Sequence, residues 1–223
     1  MNFSLSYMLE VLPAILKFVP VTIVLSVISM FFAILIGLLV AFMKRSSVSV
    51  LATGASLYVS LFRGMPTLVQ LFIIYYGLPQ LFPAMSNLEA SQAAIIGLSL
   101  KESSYLAEIF RAALESVDKG QLEAGLSVGM KKGAIYKRII LPQAAINALP
   151  ATGNTFISLI KESSLAFTLG ITELFAEGKM IAASSLRFFE TYLVVGLVYW
   201  GLILIYSFFQ RQLETKLNVP YRR

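Results

Sequence analysis

Uncharged apolar runs alternate with short charged clusters along this chain, and the charges mark where each run stops. Nothing is charged between Lys17 and Lys44, so residues 18–43 read as a first membrane span, opened by Pro20 and closed by Lys44 and Arg45. That run exceeds the ~20 apolar residues a helix needs to cross a bilayer. Residues 46–62 are also uncharged but mix Ser, Thr and Gly with apolar side chains; they read as an interfacial segment leading through Arg63 into a second span, roughly 66–82, that ends near Pro79 and Pro83. A third run, 91–113, has Lys101, Glu102 and Glu108 inside it. Residues 111–138 are polar and form the longest exposed loop. A fourth span, 139–160, is interrupted by Pro142 and Pro150 and stops at Lys161 and Glu162. Residues 163–190 alternate apolar pieces with Glu173, Glu177, Lys179 and Arg187 and predict a half helix plus a loop. The last span is 191–210, followed by a basic tail.

Composition agrees with this pattern. Of 223 residues, 57% are apolar and 13% charged, far from the ~25% charged content of soluble domains. The expected fold is all-α: one polytopic membrane domain, 1–223, with about five spans and no room for a large extramembrane unit. There is no Cys and no His, which excludes disulfides and thiolate or imidazole chemistry and argues against an enzyme or a metal site. No phosphate-cradling G-x-x-x-x-G-K loop occurs, so any ATP must be bound by another chain.

The net charge of +6 reports topology rather than nucleic-acid binding. Lys44, Arg45, Arg63, Arg111, Lys119, Lys131, Lys132, Lys137, Arg138, Arg211, Lys216, Arg222 and Arg223 fall on one side of a five-span arrangement. Lys17, Lys179 and Arg187 fall on the other, with Lys101 and Lys161 at membrane depth. The positive-inside rule then places the amino terminus outside and the long loop and tail in the cytoplasm. A cleaved signal peptide is not expected, because the first ten residues carry Glu10 and no Lys or Arg.

Within the loop, residues 121–130 read as a short helix, with Gly129 at its end. Leu122, Leu126 and Met130 then form a narrow apolar stripe outside the bilayer. Such a stripe packs on the protein's own helices or fills a groove on a cytoplasmic partner. Glu123, Ala124, Gly125, three residues, Gly129, nine residues, Ile139, one residue, Leu141 and Pro142 resemble the E-A-A, three, G, nine, I, one, L-P loop of type I ABC importer permeases. Gly125 stands where that pattern has a second Ala. The resemblance implies a coupling loop over about 118–142 in which Leu122, Glu123, Ala124, Gly125, Leu126, Gly129 and Met130 dock on an ATP-binding subunit.

Further stretches resemble the polar amino acid branch of that family, the histidine, glutamine and cystine permeases. Residues 62–66, Phe-Arg-Gly-Met-Pro, are similar to its R-G-T-P segment, and 105–111, Tyr-Leu-Ala-Glu-Ile-Phe-Arg, to its A-Y-x-x-E-x-x-R stretch. Gly120, Gln121 and Glu123 match its entry to the loop, and 161–165 are similar to its K-D-T-S-L segment. The Lys101, Glu102 pair resembles cystine-type members. The implied assembly is two permease copies, identical or homologous, in the cytoplasmic membrane, with ATP-binding subunits below and a solute-binding protein above. Its substrate is a polar amino acid. Membrane lipid surrounds it, no nucleic acid is involved, and no cofactor of its own is expected.

The charges inside the third run carry the candidate chemistry. On a helix Lys101, Tyr105 and Glu108 share a face, with Glu102 about 100° away. A charge facing lipid costs at least ~2.5 kcal/mol, so this face turns inward, either as a structural ion pair or as a site where Lys101 meets an amino acid carboxylate. Lys161, Glu162, Ser163 and Ser164 end the fourth span beside a break, where discontinuous helices build transport sites; the alternative is a neutralised pair at the outer rim. Tyr75, Tyr76, Tyr192, Tyr199 and Trp200 read as interfacial anchors or packing. Two short motifs fail on context: S-x-x-K at 158–161 lies in a span, and G-x-x-x-G at 125–129 lies among charges.

The principal rival function is an ion-driven secondary carrier or channel. A purely structural membrane subunit is another. Single cysteines at Ser47 and Ser127 are expected to react with an impermeant label only from the cytoplasmic side, and one at Ser4 only from outside; labelling of position 127 from outside overturns the topology.

Overall fold

A computed structural model describes residues 3–218, helical throughout with no strand among the described residues. Helix α1, Leu5–Leu16, is capped by the Ser4 hydroxyl, which accepts from the Tyr7 N–H. Helix α2, Val19–Lys44, opens with Pro20 in its first turn, where a missing N–H costs nothing. Helix α3, Ser49–Gly64, is followed by α4, Thr67–Phe72, which passes through a π turn at Ile73–Gly77 into α5, Leu78–Leu81. Then come α6, Ala90–Glu115; α7, Lys119–Ser127; α8, Lys132–Ile135; a π turn at Tyr136–Ile140; and α9, Leu141–Glu162. A 3₁₀ segment, Ser163–Leu169, leads through Gly170 (φ +91°) to α10, Leu174–Ser185, and α11, Phe188–Asn218, closes the chain.

The core of the bundle is the seam between α2 and α6. Thr22, Ser26, Ser29, Ala33, Gly37 and Ala41 recur at helical spacing on α2, and all are buried. They meet Leu98, Ser103, Leu106 and Ala107 of α6. Helices in lipid gain little from burying apolar side chains, so small residues that let backbones approach supply the packing. At Gly37 a Cβ would stand 2.9 Å from the Leu106 Cβ and 3.1 Å from the Ser103 carbonyl oxygen, atoms that cannot swing away. Across the seam Ser99 donates to the Ser29 carbonyl oxygen at 3.1 Å. The opposite side of α2 exposes Val24, Val27, Phe31, Leu35 and Leu39, a surface suited to lipid.

Several expectations are corrected here. Residues 49–62 of the segment read as interfacial belong to α3, which packs Ala55 and Val59 on Val40, Ala41 and Ala107 and anchors the Tyr58 hydroxyl to the Leu100 carbonyl at 3.0 Å. It bends by 109° into Thr67–Leu81 at Met65–Pro66, and the two helices have the length and hydropathy of a span only when taken together. Arg63 therefore parts from Lys44 and Arg45, with which it was grouped: its guanidinium carbon lies 5.1 Å from the ring centre of Tyr105, at the middle of α6. Arg222 and Arg223 of the same set lie outside the described residues. The fourth span is uninterrupted, because Pro142 sits in the first turn of α9 and Pro150 is accommodated within the helix. The last span is longer at both ends than 191–210. Among the described residues, only α2 and α11 qualify as spans by length and composition alone, or three spans with the bent pair; charges in α6 and the polar face of α9 lower their hydropathy.

Beyond α9, the half helix plus loop is present as the 3₁₀ segment and α10. Glu173 fixes this hairpin in place. Fully buried, its carboxylate accepts from the N–H groups of Phe175 and Ala176 at 2.9 and 2.8 Å, and from the hydroxyls of Thr22 at 3.3 Å and Tyr199 at 3.1 Å. One carboxylate thus caps α10 and ties it to α2 and α11.

Replacing Gly37 by Leu is expected to destabilise the protein by about 1–3 kcal/mol through overpacking, read as a lower unfolding temperature in detergent. Gly201→Leu, where a Cβ would meet nothing within 4 Å, is expected to leave it near the parent value.

Candidate functional site

The middle of α6 faces α9 across a polar cavity of about 410 Å³ lined by Lys101, Glu102, Tyr105, Ala151, Asn154, Thr155, Ser158 and Glu162. The contributions of α9 recur at 151, 154, 155, 158 and 162, a single helical face. Lys101 is the electrostatic centre. Its ammonium donates to Glu102 Oε1 and to Glu162 Oε1, each at 2.7 Å, and lies 4.7 Å from the Tyr105 ring centre. A charge buried among helices persists only with such partners. Glu102 is 2% exposed, whereas the Glu162 side chain is 28% exposed and opens to the cavity. Thr67 donates to the other Glu162 oxygen at 3.3 Å, which ties α4 to the same cluster.

Of the eight candidate path residues, four come together: Lys101, Glu102, Tyr105 and Glu162. The other four do not. Glu108 is two turns farther along α6 and pairs with Lys44 and with Arg111 at 3.0 Å; sharing a face with Lys101 was not enough, because 7 residues of helix rise about 10 Å. Lys161 is exposed and makes no ion pair among the described residues, so it is not the neutralising partner of Glu162. The hydroxyls of Ser163 and Ser164 turn back to the carbonyls of Ile160 and Lys161 at 2.8 and 2.7 Å.

The structure adds residues that the sequence reading passed over. Asn154, Thr155 and Ser158 line the cavity, and their three- and four-residue spacing within an otherwise apolar span was the available signal. Arg63 was assigned to the cytoplasm because the bend after it was not foreseen. It lies on the same tyrosine as Lys101, exposed and without an ion pair among the described residues.

The loop 118–142 contains a separate helix, α7. Asp118 caps it, its carboxylate accepting from the Gly120 N–H at 2.7 Å. It ends earlier than expected, at Ser127, through a pair of bonds from Met130 N–H to the Gly125 carbonyl and Gly129 N–H to the Leu126 carbonyl, both 3.0 Å. Gly129 has φ +78° there, a conformation that penalises any side chain. The stripe of Leu122, Leu126 and Met130 does not act as one face. Leu122 and Met130 pack on the chain's own cluster around Val117, Ile135 and Ile140, while Leu126 is 43% and Val128 75% exposed. The physical reason is the early helix end, which turns Met130 back toward α8. Gly125 is buried against Ile135, where a Cβ would stand 2.8 Å from two side-chain carbons. The departure from the second Ala of the motif thus admits a bulky neighbour. Glu123, Ala124, Leu126 and Ser127 are left as the outward surface.

Known proteins share the sequence and the fold of this chain. Residues 33–219 match the family described as binding-protein-dependent transport system inner membrane component. The probable amino-acid permease protein YxeN of Bacillus subtilis (strain 168) is 58% identical over 97% of this chain and 96% of its own length. The L-cystine transport system permease protein TcyL of the same organism is 33% identical over 97% and 92%. A crystal structure described as an amino acid ABC transporter with histidines superposes with a TM-score of 0.88 at 35% identity, covering 97% of this chain and all of that one. A membrane-embedded helical bundle with this loop and these relatives has one classification: the chain belongs to the binding-protein-dependent inner membrane component family, the permease subunits of ABC importers.

Proposed function

We propose that this permease carries polar amino acids across the cytoplasmic membrane, driven by ATP hydrolysis on a separate subunit. The observation that carries the reading is a loop of E-A-A spacing folded as a separate helix whose outer surface, Glu123, Ala124, Leu126, Ser127 and Val128, is left uncovered by its own chain. That surface supplies an apolar knob and a carboxylate for a groove on the ATP-binding subunit. Leu122, Gly125 and Met130 act from behind, fixing α7 to α8 and α9 so that displacement of α7 is passed to the membrane helices.

In this reading two permease copies enclose one path, a solute-binding protein delivers the amino acid from outside, and closure of the ATPase pair draws the two α7 helices together. The transition reorients the cavity between α6 and α9, and hydrolysis resets it. Each state must be favoured by a different ligand, since equal affinity for both shifts nothing. The amino terminus is outside and α7 in the cytoplasm, in line with Lys119, Lys131, Lys132, Lys137 and Arg138 around the loop. The relatives named above support amino acids as cargo, and the Lys101–Glu102 pair together with the L-cystine relative makes cystine a specific candidate.

Leu126→Asp tests the docking surface. A buried leucine contributes ~1.5–3 kcal/mol, so the ATP-binding subunit is expected to bind about 10- to 100-fold more weakly, with substrate-stimulated hydrolysis and uptake lost and membrane insertion retained. Normal ATP-dependent uptake by Leu126→Asp would remove α7 from the coupling role. Lys101→Met is expected to lower uptake at least about tenfold, because it leaves Glu102 buried without its cation. Uptake that persists without ATP and follows a proton gradient would favour the ion-driven carrier.

A further inference from the structure

The accessible charges of the cavity define the ligand more narrowly than its polarity does. Lys101 is 8% exposed and already engages two carboxylates, and Glu102 is 2% exposed. Neither presents a free charge. Two groups remain reachable: the carboxylate of Glu162, which accepts from Lys101 and Thr67 but is 28% exposed and open to the cavity, and the exposed guanidinium of Arg63, which stands outside the lining and meets it at the Tyr105 ring from the end of α3. The position of Arg63 is built rather than incidental. Gln70, 3% exposed, donates to the carbonyls of Phe62 at 2.9 Å and Met65 at 2.8 Å and so clasps the bend. Tyr58, one turn earlier, bonds α3 to Ser103 and Leu100 of α6 at 2.6 and 3.0 Å. An exposed guanidinium with no ion pair among the described residues, held over a ring that lines the cavity, is placed to meet an anion, and its planar fork matches a carboxylate.

We propose that Arg63 receives the α-carboxylate of the transported amino acid, that Glu162 receives its ammonium group, and that the site takes amino acids of zero net charge. This rests on the proposed role of the cavity in the translocation path. Arg63 and Lys101 balance Glu102 and Glu162, so a zwitterion enters without leaving a charge uncompensated. A cationic or anionic side chain adds one that no described residue of the cavity answers. The carboxylate role expected for Lys101 from sequence thus passes to Arg63, and Lys101 becomes a positioning residue that holds Glu162 toward the cavity.

The test is equilibrium binding to the assembled transporter in nanodiscs, without the solute-binding protein, using L-glutamine, its α-carboxamide, L-arginine and L-glutamate as probes. The parent is expected to bind glutamine at least about tenfold more tightly than the α-carboxamide, arginine or glutamate. In Arg63→Gln, glutamine binding falls about tenfold and the distinction between glutamine and its carboxamide disappears, because the same interaction is removed from either side. Arg63→Lys, which keeps the charge without the fork, restores part of the preference for the carboxylate. A glutamine-to-carboxamide ratio that persists in Arg63→Gln, or arginine binding as tight as glutamine in the parent, overturns this inference and leaves the cavity reading intact. Saturable binding of none of the probes, with amino acid uptake preserved, overturns the cavity reading itself.

Discussion

The close approach of α2 and α6 is the constraint from which the remaining geometry follows. Gly37 brings the two backbones together at a point where no side chain fits, and the small residues above and below it extend the contact along both helices. With one side of α6 committed to α2 and another to Tyr58, Ala55 and Val59 of α3, the side bearing Lys101, Glu102 and Tyr105 is left to α9. The buried charges are therefore a consequence of packing. They persist because the polar face of α9 brings Glu162 within 2.7 Å of the Lys101 ammonium, and because Tyr105 adds its ring face to the same cation. Two turns farther along α6, Lys44 on α2 pairs with Glu108 and closes the seam with a contact that also links to Arg111.

Much of the fold was legible in the sequence because charge clusters end apolar runs in lipid with little ambiguity. The third run, 91–113, and helix α6 agree within two residues at either end, and the half helix after 163 was visible from its scattered acids. The 109° bend between α3 and α4 was not. Met65 and Pro66 signal a helix break but not its angle, and that angle decides whether Arg63 stays with Lys44 and Arg45 or comes over Tyr105 of α6. The same limit applies to Lys161 and Glu162. Adjacent on a helix, they point about 100° apart, and only the position of α6 shows that Glu162 alone reaches the cluster.

The loop gives the converse case. Its spacing marks it for the proposed coupling role, and Gly129 lies at a helix end as expected, where it takes φ +78°. The apolar stripe misled in part because it continued past the real end of α7, at Ser127. What the sequence presents as one surface divides into an inner side that fixes α7 to the membrane helices and an outer side around Leu126 and Val128. That division suits a lever, since the element must be rigidly attached to its own chain and also grip another. Gly125 contributes to the attachment by admitting Ile135.

The central claim is that this permease works with an ATP-hydrolysing partner. The most direct measurement is mild-detergent extraction of the tagged chain from membranes, with the co-purifying chains identified and their stoichiometry determined by mass spectrometry. The account predicts equal amounts of this permease, or of it plus a homologous copy, and a subunit that carries a phosphate-binding G-x-x-x-x-G-K loop and hydrolyses ATP. Recovery of the permease without any nucleotide-binding chain, from cells in which it transports normally, would contradict it.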